Sequence, residues 1–230
     1  MMSTPILLSW SGGKDCLMAL AALRSDPAWH VVGLLATVTG QYQHRVAMHG
    51  IRNDVLCAQA AALGLPLVQA VMAAPADGAA YEHARVAALN EAAQRWPGVR
   101  HCAYGDLFLA DVRAWREALL GRHGWHGVFP LWQQDTAATA RHFIAAGHRA
   151  VTVCVDTTQL DDRFSGREFD AAFVAELPAG VDPCGENGEF HTLSYGGPLF
   201  AAPLRLTRGA SVLRDARFQY TDFELAEATR

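Results

Sequence analysis

Two periods of apolar residues take turns along the first two thirds of this chain. Short runs of Val, Leu and Ile, of strand length, alternate with longer stretches whose apolar positions recur at helical spacing. Residues 5–10 form the first run, and residues 15–24 follow with Leu17, Leu20 and Ala21 on one helical face. Residues 30–39 read as a second strand, 49–63 as a helix stopped by Gly64, and 66–72 as a third strand. A helix over 78–96 carries Val86, Leu89, Ala93 and Trp96 on one stripe and ends at Pro97-Gly98. Residues 99–105 form a fourth strand, and Phe108, Val112, Trp115 and Leu119 give the next helix its buried face. Residues 126–131 are a fifth strand, 135–146 a helix stopped by Gly147, and 150–155 a sixth strand.

Strands alternating with helices predict an α/β fold, a Rossmann-like parallel sheet with helices on both faces and right-handed crossovers. Such sheets bind ligands beyond the carboxyl ends of their strands. The polar clusters fall at those ends: residues 9–15, Thr37 to Gly40, Gly105-Asp106 and Asp156. After Asp156 the pattern breaks. Residues 160–177 read as short helices with polar turns, and 178–200 are dense in Gly, Pro and acidic residues. Residues 204–208 and 216–220 read as late strands. The expected division is an α/β domain over 1–156 and a smaller α+β subdomain over 157–230, with a loop reaching back to the cleft.

With 230 residues, 51% hydrophobic and 18% charged, the chain can bury a sizeable core. A net charge of -4 argues against nonspecific binding to nucleic acid or to an anionic membrane. No apolar run is long enough to span a bilayer. The N-terminus shows no basic leader followed by an apolar segment. Five widely spaced cysteines, with no Cys-x-x-Cys pair, point to a reduced, cytoplasmic protein.

Lysine occurs once among nineteen basic residues, as Lys14 in Ser9-Trp10-Ser11-Gly12-Gly13-Lys14-Asp15-Cys16. An ammonium is a compact point charge where guanidinium is a wide fork, and a tight glycine loop around phosphate favours the former. A strand, a glycine turn and a helix start together make an anion site from backbone N–H groups. Gly12 and Gly13 allow close approach, Ser9 and Ser11 add hydroxyls, and Cys16 can cap the helix start. The loop is not a Walker A motif, which needs glycine at position 8 and Ser or Thr at position 15; Leu8 and Asp15 stand there. A second segment, Gly180-Val181-Asp182-Pro183-Cys184-Gly185-Glu186-Asn187-Gly188-Glu189-Phe190-His191-Thr192, concentrates carboxylates and glycines in a way that cores do not.

Ser-Gly-Gly-Lys-Asp after a first strand resembles the pyrophosphate loop of the N-type ATP pyrophosphatases, in the adenine nucleotide alpha hydrolase-like (HUP) superfamily. The segment around Glu186 and Glu189 resembles the Glu-x-Gly-Glu-Phe-x-Thr signature of the diphthine–ammonia ligase family. His49-Gly50-Ile51-Arg52, Tyr104-Gly105-Asp106 and Phe129-Pro130-Leu131-Trp132 fall in the order which that family shows. The resemblance implies ATP-dependent amide formation from a carboxylate and ammonia through an acyl adenylate, with ATP and Mg²⁺ as cofactors. It assigns Lys14, Glu186 and Glu189 to catalysis. Ser9, Ser11, Gly12, Gly13, Asp15, Cys16, Thr37, Gly105 and Asp106 would contact nucleotide, with Asp15 and Asp106 also touching Mg²⁺. His49, Arg52, Asn187, His191, Thr192 and, more weakly, Trp132 would bind substrate. His191 is equally a structural hydrogen bonder and Arg52 equally an exposed helix charge. An RNA-modifying pyrophosphatase and a non-catalytic nucleotide-binding regulator are the alternatives; the former would call for a cysteine pair or a basic domain. The acceptor carboxylate and a homodimer are left open.

Overall fold

β1 (Thr4–Ser9) lies at the centre of a mostly parallel sheet in a computed structural model that describes residues 3–39, 45–46, 49–73 and 77–227. β2 (Trp29–Thr39) pairs with β1 along its first half and with β4 (Leu67–Met72) along its second, both in parallel. On the other side of β1 come β5 (His101–Ala103) and then β6 (His126–Val128), again parallel. A two-residue strand, β3 (Arg45–Val46), runs antiparallel to the end of β2. Alternate side chains of β1 enter separate cores, as the pleat requires: Ile6 and Leu8 on one face, Leu7 on the other. The first face receives Leu17 and Leu20 of α1 (Lys14–Ser25) and Val55 and Leu56 of α2 (Asn53–Ala62). The second receives Ala84, Ala88 and Leu89 of α3 (Gly78–Arg95). The α/β class with helices on both faces of a parallel sheet is therefore what the periodicity predicts.

Several local expectations are corrected. Residues 150–155 do not extend the parallel sheet. They belong to β7 (Arg149–Asp156), antiparallel to β8 (Phe190–Gly196) on one side and to β10 (Phe218–Leu225) on the other. β9 (Leu206–Arg214) is outermost. The run looked like a parallel strand because every residue from Ala150 to Asp156 is buried, and a strand covered on both faces loses its alternation. The buried stripe of α3 is Ala84, Arg85, Ala88, Leu89 and Ala92, one position round from the predicted one. In α4 (Ala110–Arg122) the buried residues are Leu119 and Leu120, while Trp115 and the preceding Phe108 are exposed. α2 begins only at Asn53, because Gly50 takes a φ of +69° and breaks any earlier helix. Gly40, the end of one expected polar cluster, lies outside the described residues. α5 (Thr136–Ala145) and the short α6 (Ala171–Ala175) complete the α-helices among the described residues, and Asp162–Phe164 forms a 3-10 turn. None of the helices is long and apolar enough to cross a membrane.

Two sets of contacts fasten the antiparallel sheet to the parallel one. The fully buried amide of Gln59, on α2, accepts from Trp10 Nε1 at 3.0 Å and donates to Gly12 O at 2.9 Å and Ser194 O at 2.6 Å. Arg45 and Arg52 both grip the carboxylate of Asp222 on β10, at 2.8 and 2.6 Å, and Arg52 also reaches Glu224. Burial favours protonation of Asp222, but the two guanidinium groups outweigh it and pull its pKa to about 2.

Gln59→Ala should lower unfolding free energy by about 3 kcal/mol in chemical denaturation, because it orphans an indole N–H and removes the amide donors to two buried carbonyls. A change below about 0.5 kcal/mol would contradict this. Asp222 is ionised in the folded protein well below the ordinary aspartate value of about 4. Its contribution is present above that value and lost as pH falls towards about 2. Asp222→Asn should flatten the decline of stability across this window; an unchanged acid limb would show that the pair contributes nothing.

Candidate active site

From β1 the chain moves to β2 and β4 on one side, then returns to β5 and β6 on the other. The carboxyl ends of β1 and β5 thus flank a topological switch point. A cavity of about 370 Å³ opens there, large enough for a small-molecule ligand. Ser9, Trp10 and Ser11 line it from the exit of β1, Thr37 from the end of β2, and Tyr104, Gly105 and Asp106 from the exit of β5. Gly185, Glu186 and His191 reach in from the C-terminal segment.

The turn between β1 and α1 is shaped by its glycines and held from outside. Gly12 has a φ of +84°, and a Cβ there would meet Ile51 at 2.8 Å and Gln59 at 2.9 Å. The Ser11 hydroxyl accepts from Gly13 N at 3.3 Å, and the Cys16 thiol donates to Gly13 O at 3.0 Å. Burial pushes that thiol up to about 11, so it stays protonated and acts as a donor. Gly13, the N-cap, has no side chain to offer the helix. Thr192 of β8 supplies the missing acceptor, taking the Lys14 N–H at 3.0 Å, while Ser194 N donates to Gly12 O at 2.8 Å. Gly105 completes the wall: a Cβ there would sit 2.7 Å from the Asp15 carbonyl and 3.0 Å from Cys16 N. Only glycine lets the β5 exit pack on the first turn of α1.

Lys14 is 2% exposed. Its ammonium donates to both oxygens of Asp15, at 2.7 and 2.8 Å, and to the Cys184 carbonyl. The rings of Phe169 and Phe190 each lie 5.6 Å away. Burial works against this charge, but Asp15 holds its pKa above the ordinary lysine value. The ammonium therefore meets the cavity through Asp15, which lines it. Cys184 is buried with its thiol on Thr136 O at 3.2 Å and its pKa pushed up to about 12 by burial.

Three carboxylates face the cavity: Asp15, Asp106 and Glu186. Glu186 accepts from Leu107 N at 2.7 Å and Phe108 N at 3.4 Å. Burial raises it, and Asp15 and Asp106 repel its charge, so its pKa reaches about 7. Burial also raises Asp106, against the pull of Arg116 at 2.7 Å. His191 and His49 lie ring to ring, with centroids 4.6 Å apart, and both line the cavity. Burial and the nearby Lys14 charge lower His191 to about 4, which keeps it neutral at pH 7. Among the described residues no three His, Cys, Asp or Glu side chains form a metal cage.

The structure thus brings Ser9, Ser11, Asp15, Cys16, Thr37, His49, Gly105, Asp106, Glu186 and His191 to one cavity. Gly12, Gly13, Lys14 and Thr192 stand behind its wall as the framework of the loop. The remaining predicted residues are placed elsewhere. Glu189 is buried, accepting from Asp182 N and Asn187 Nδ2 at 2.9 and 3.0 Å; Asn187 itself is exposed. Arg52 is occupied with Asp222. Trp132 packs edge-on against Phe129 and stacks on the Arg113 guanidinium at 4.7 Å, away from the cavity. Tyr81 and Arg116 line the cavity without having been singled out in the sequence. Arg116 could have been found from its place one helical face beyond Val112, which also lines the cavity.

Residues 135–220, from the cap of α5 into β10, match the family described as the diphthamide synthase C-terminal domain. No curated protein matches the chain. The matched stretch contains the whole acidic segment and the β8 strand that caps α1, so the two motifs read in the sequence meet at one site. Over that stretch the chain is similar to the diphthamide synthase C-terminal domain.

Proposed function

We propose that this chain is an ATP-dependent carbon–nitrogen ligase. It splits ATP between the α and β phosphates, adenylates a carboxylate and transfers the acyl group to ammonia. The observation that carries this reading is the meeting, in one switch-point cavity, of the α1 N-terminal loop with Glu186 of the C-terminal segment. Thr192 and Ser11 take the Lys14 and Gly13 N–H groups, and the loop suits phosphate through the N–H groups of Asp15 and Cys16, two hydroxyls and glycines that permit close approach. The likeness of the loop to the pyrophosphate loop of the N-type ATP pyrophosphatases points to cleavage between the α and β phosphates.

The chemistry has two displacements. A carboxylate oxygen of the substrate attacks the α-phosphorus, and the bond to the β-phosphate oxygen breaks, releasing pyrophosphate. The ammonia nitrogen then attacks the acyl carbon, AMP departs with the bonding pair, and the nitrogen loses a proton. Glu186 is the group placed to take that proton, since a base works best with a pKa near the working pH. Lys14 holds Asp15 at the cavity wall and ties the loop to the Cys184 carbonyl. Glu189 holds the Asp182–Glu189 turn from behind, so that Glu186 keeps its direction.

A Mg²⁺ ion fits this site. Asp15, Asp106 and Glu186 line one cavity, burial and mutual repulsion both disfavour the charged forms of Asp106 and Glu186, and a divalent cation would favour those charged forms. Mg²⁺ is commonly held by one or two carboxylates plus phosphate oxygens rather than by a protein cage. Asp15 and Asp106 would hold it, and it would neutralise charge on the departing pyrophosphate.

The test is ATP- and ammonium-dependent release of AMP in a screen of carboxylates and of protein lysates. AMP formed only when ammonium and an acceptor are both present supports the ligase; ATP bound without turnover under every condition contradicts it. Lys14→Met, which keeps the stem and loses the charge, should cut pyrophosphate release by about 100-fold or more with the fold retained. Turnover near wild type in that variant would sink the loop assignment. At a fixed concentration of free ammonia, wild-type rate should rise as pH passes through about 7, where Glu186 loses its proton. Glu186→Gln should be slow and lack that rise; a retained limb would assign the base elsewhere.

A further inference from the structure

Arg85 is a buried charge that the reaction above leaves without a task. It projects from α3 at 1% exposure, among Ala84, Ala88 and Leu89, which pack into the core beneath β1 and β5. Its guanidinium is permanently protonated and offers five N–H donors. Among the described residues it meets no carboxylate. Its acceptors are Tyr104 Oη at 2.9 Å, Ser9 Oγ at 3.4 Å and Cys102 Sγ at 3.7 Å, all uncharged in their ordinary states. The rings of Tyr104 and Tyr81 lie 5.6 and 6.0 Å from it. A buried cation without an anion is expensive to maintain, and an apolar residue of similar volume would be cheaper for packing alone.

Position gives the charge a use. Ser9, Tyr81 and Tyr104 each contact Arg85 on one side and line the cavity on the other. The cation therefore stands directly behind the wall formed by the exits of β1 and β5. The other cations near the cavity, Lys14 and Arg116, already pair with Asp15 and Asp106. We propose that Arg85 is a positioning residue for the polyphosphate of ATP. It fixes the Ser9 and Tyr104 hydroxyls at the cavity wall and lends them positive charge whose counter-ion is the bound phosphate.

This inference rests on the nucleotide reading of the cavity, and binding measurements separate the two. Pyrophosphate, ATP and adenosine would be titrated calorimetrically, with Mg²⁺ present, into wild type, Arg85→Gln and Arg85→Lys. Arg85→Gln should weaken pyrophosphate at least tenfold and leave adenosine within twofold, and Arg85→Lys should recover much of the loss. Unchanged pyrophosphate affinity in Arg85→Gln, or an equal loss for adenosine and pyrophosphate, would overturn the proposal and leave Arg85 a packing residue. Should Arg85→Gln fail to fold, Tyr104→Phe carries the same test, since it removes the hydroxyl and keeps the ring. A threefold or greater loss confined to pyrophosphate and ATP supports the proposal, and no loss overturns it. A wild type that binds neither ATP nor pyrophosphate would overturn the ligase reading, and this inference with it.

Discussion

The first turn of α1 is capped by a strand 178 positions further along the chain: Thr192 Oγ1 accepts the N–H of Lys14. Gly13 at the N-cap cannot do this for itself, because it has no side chain. The same strand donates Ser194 N to Gly12 O, and Gln59 ties Gly12 and Ser194 together from below. A loop that keeps glycine for close approach gives up the side chains that would otherwise hold it. Here the second sheet supplies what the glycines lack. Docking β8 also carries Glu186 and His191 to the cavity, so one set of contacts shapes the loop and brings the acidic segment to it.

Charge in the site is arranged in opposed layers. Carboxylates from three separate segments face the cavity, two of them paired with Lys14 and Arg116 and the third held by backbone N–H groups. Burial raises Asp106 and Glu186, and the neighbouring carboxylates add repulsion to it. Arg85 stands on the far side of the wall with no anion of its own. A polyphosphate with its metal would satisfy both excesses at once.

What the sequence disclosed follows contact range. The loop between β1 and α1 was legible because strand, glycines and helix are contiguous, and the α/β class was legible because each strand–helix unit announces itself by period. The predicted cavity residues at the exits of β1, β2 and β5 meet for the same reason: sheet topology gathers strand ends. The origin of β7's partners was not legible, since β8 hides behind a stretch of Gly, Pro and acidic residues and pairs only through distant contacts. The sequence did not disclose that the Thr192 hydroxyl caps a helix, or that Arg52, read equally as a substrate contact and as an exposed helix charge, pairs with Asp222 and Glu224. Phe108 and Trp115 have the spacing of a core stripe but stay exposed, because the helix turns Val112 and Arg116 towards the cavity instead. Arg85 was hidden by its type: arginine on a helix is ordinarily read as surface, although Tyr81, Arg85 and Leu89 share one face at helical spacing.

The claim at the centre is that the cavity between the exits of β1 and β5 receives the phosphates of ATP on the α1 loop. Its most direct measurement is a crystal structure of the full chain with Mg²⁺ and an ATP analogue that resists α–β cleavage. The β and γ phosphates should lie against the Ser9 and Ser11 hydroxyls and the N–H groups of Asp15 and Cys16, with the α-phosphorus open towards Glu186. A triphosphate seated outside this cavity, or a nucleotide whose phosphates leave the loop empty, would contradict it.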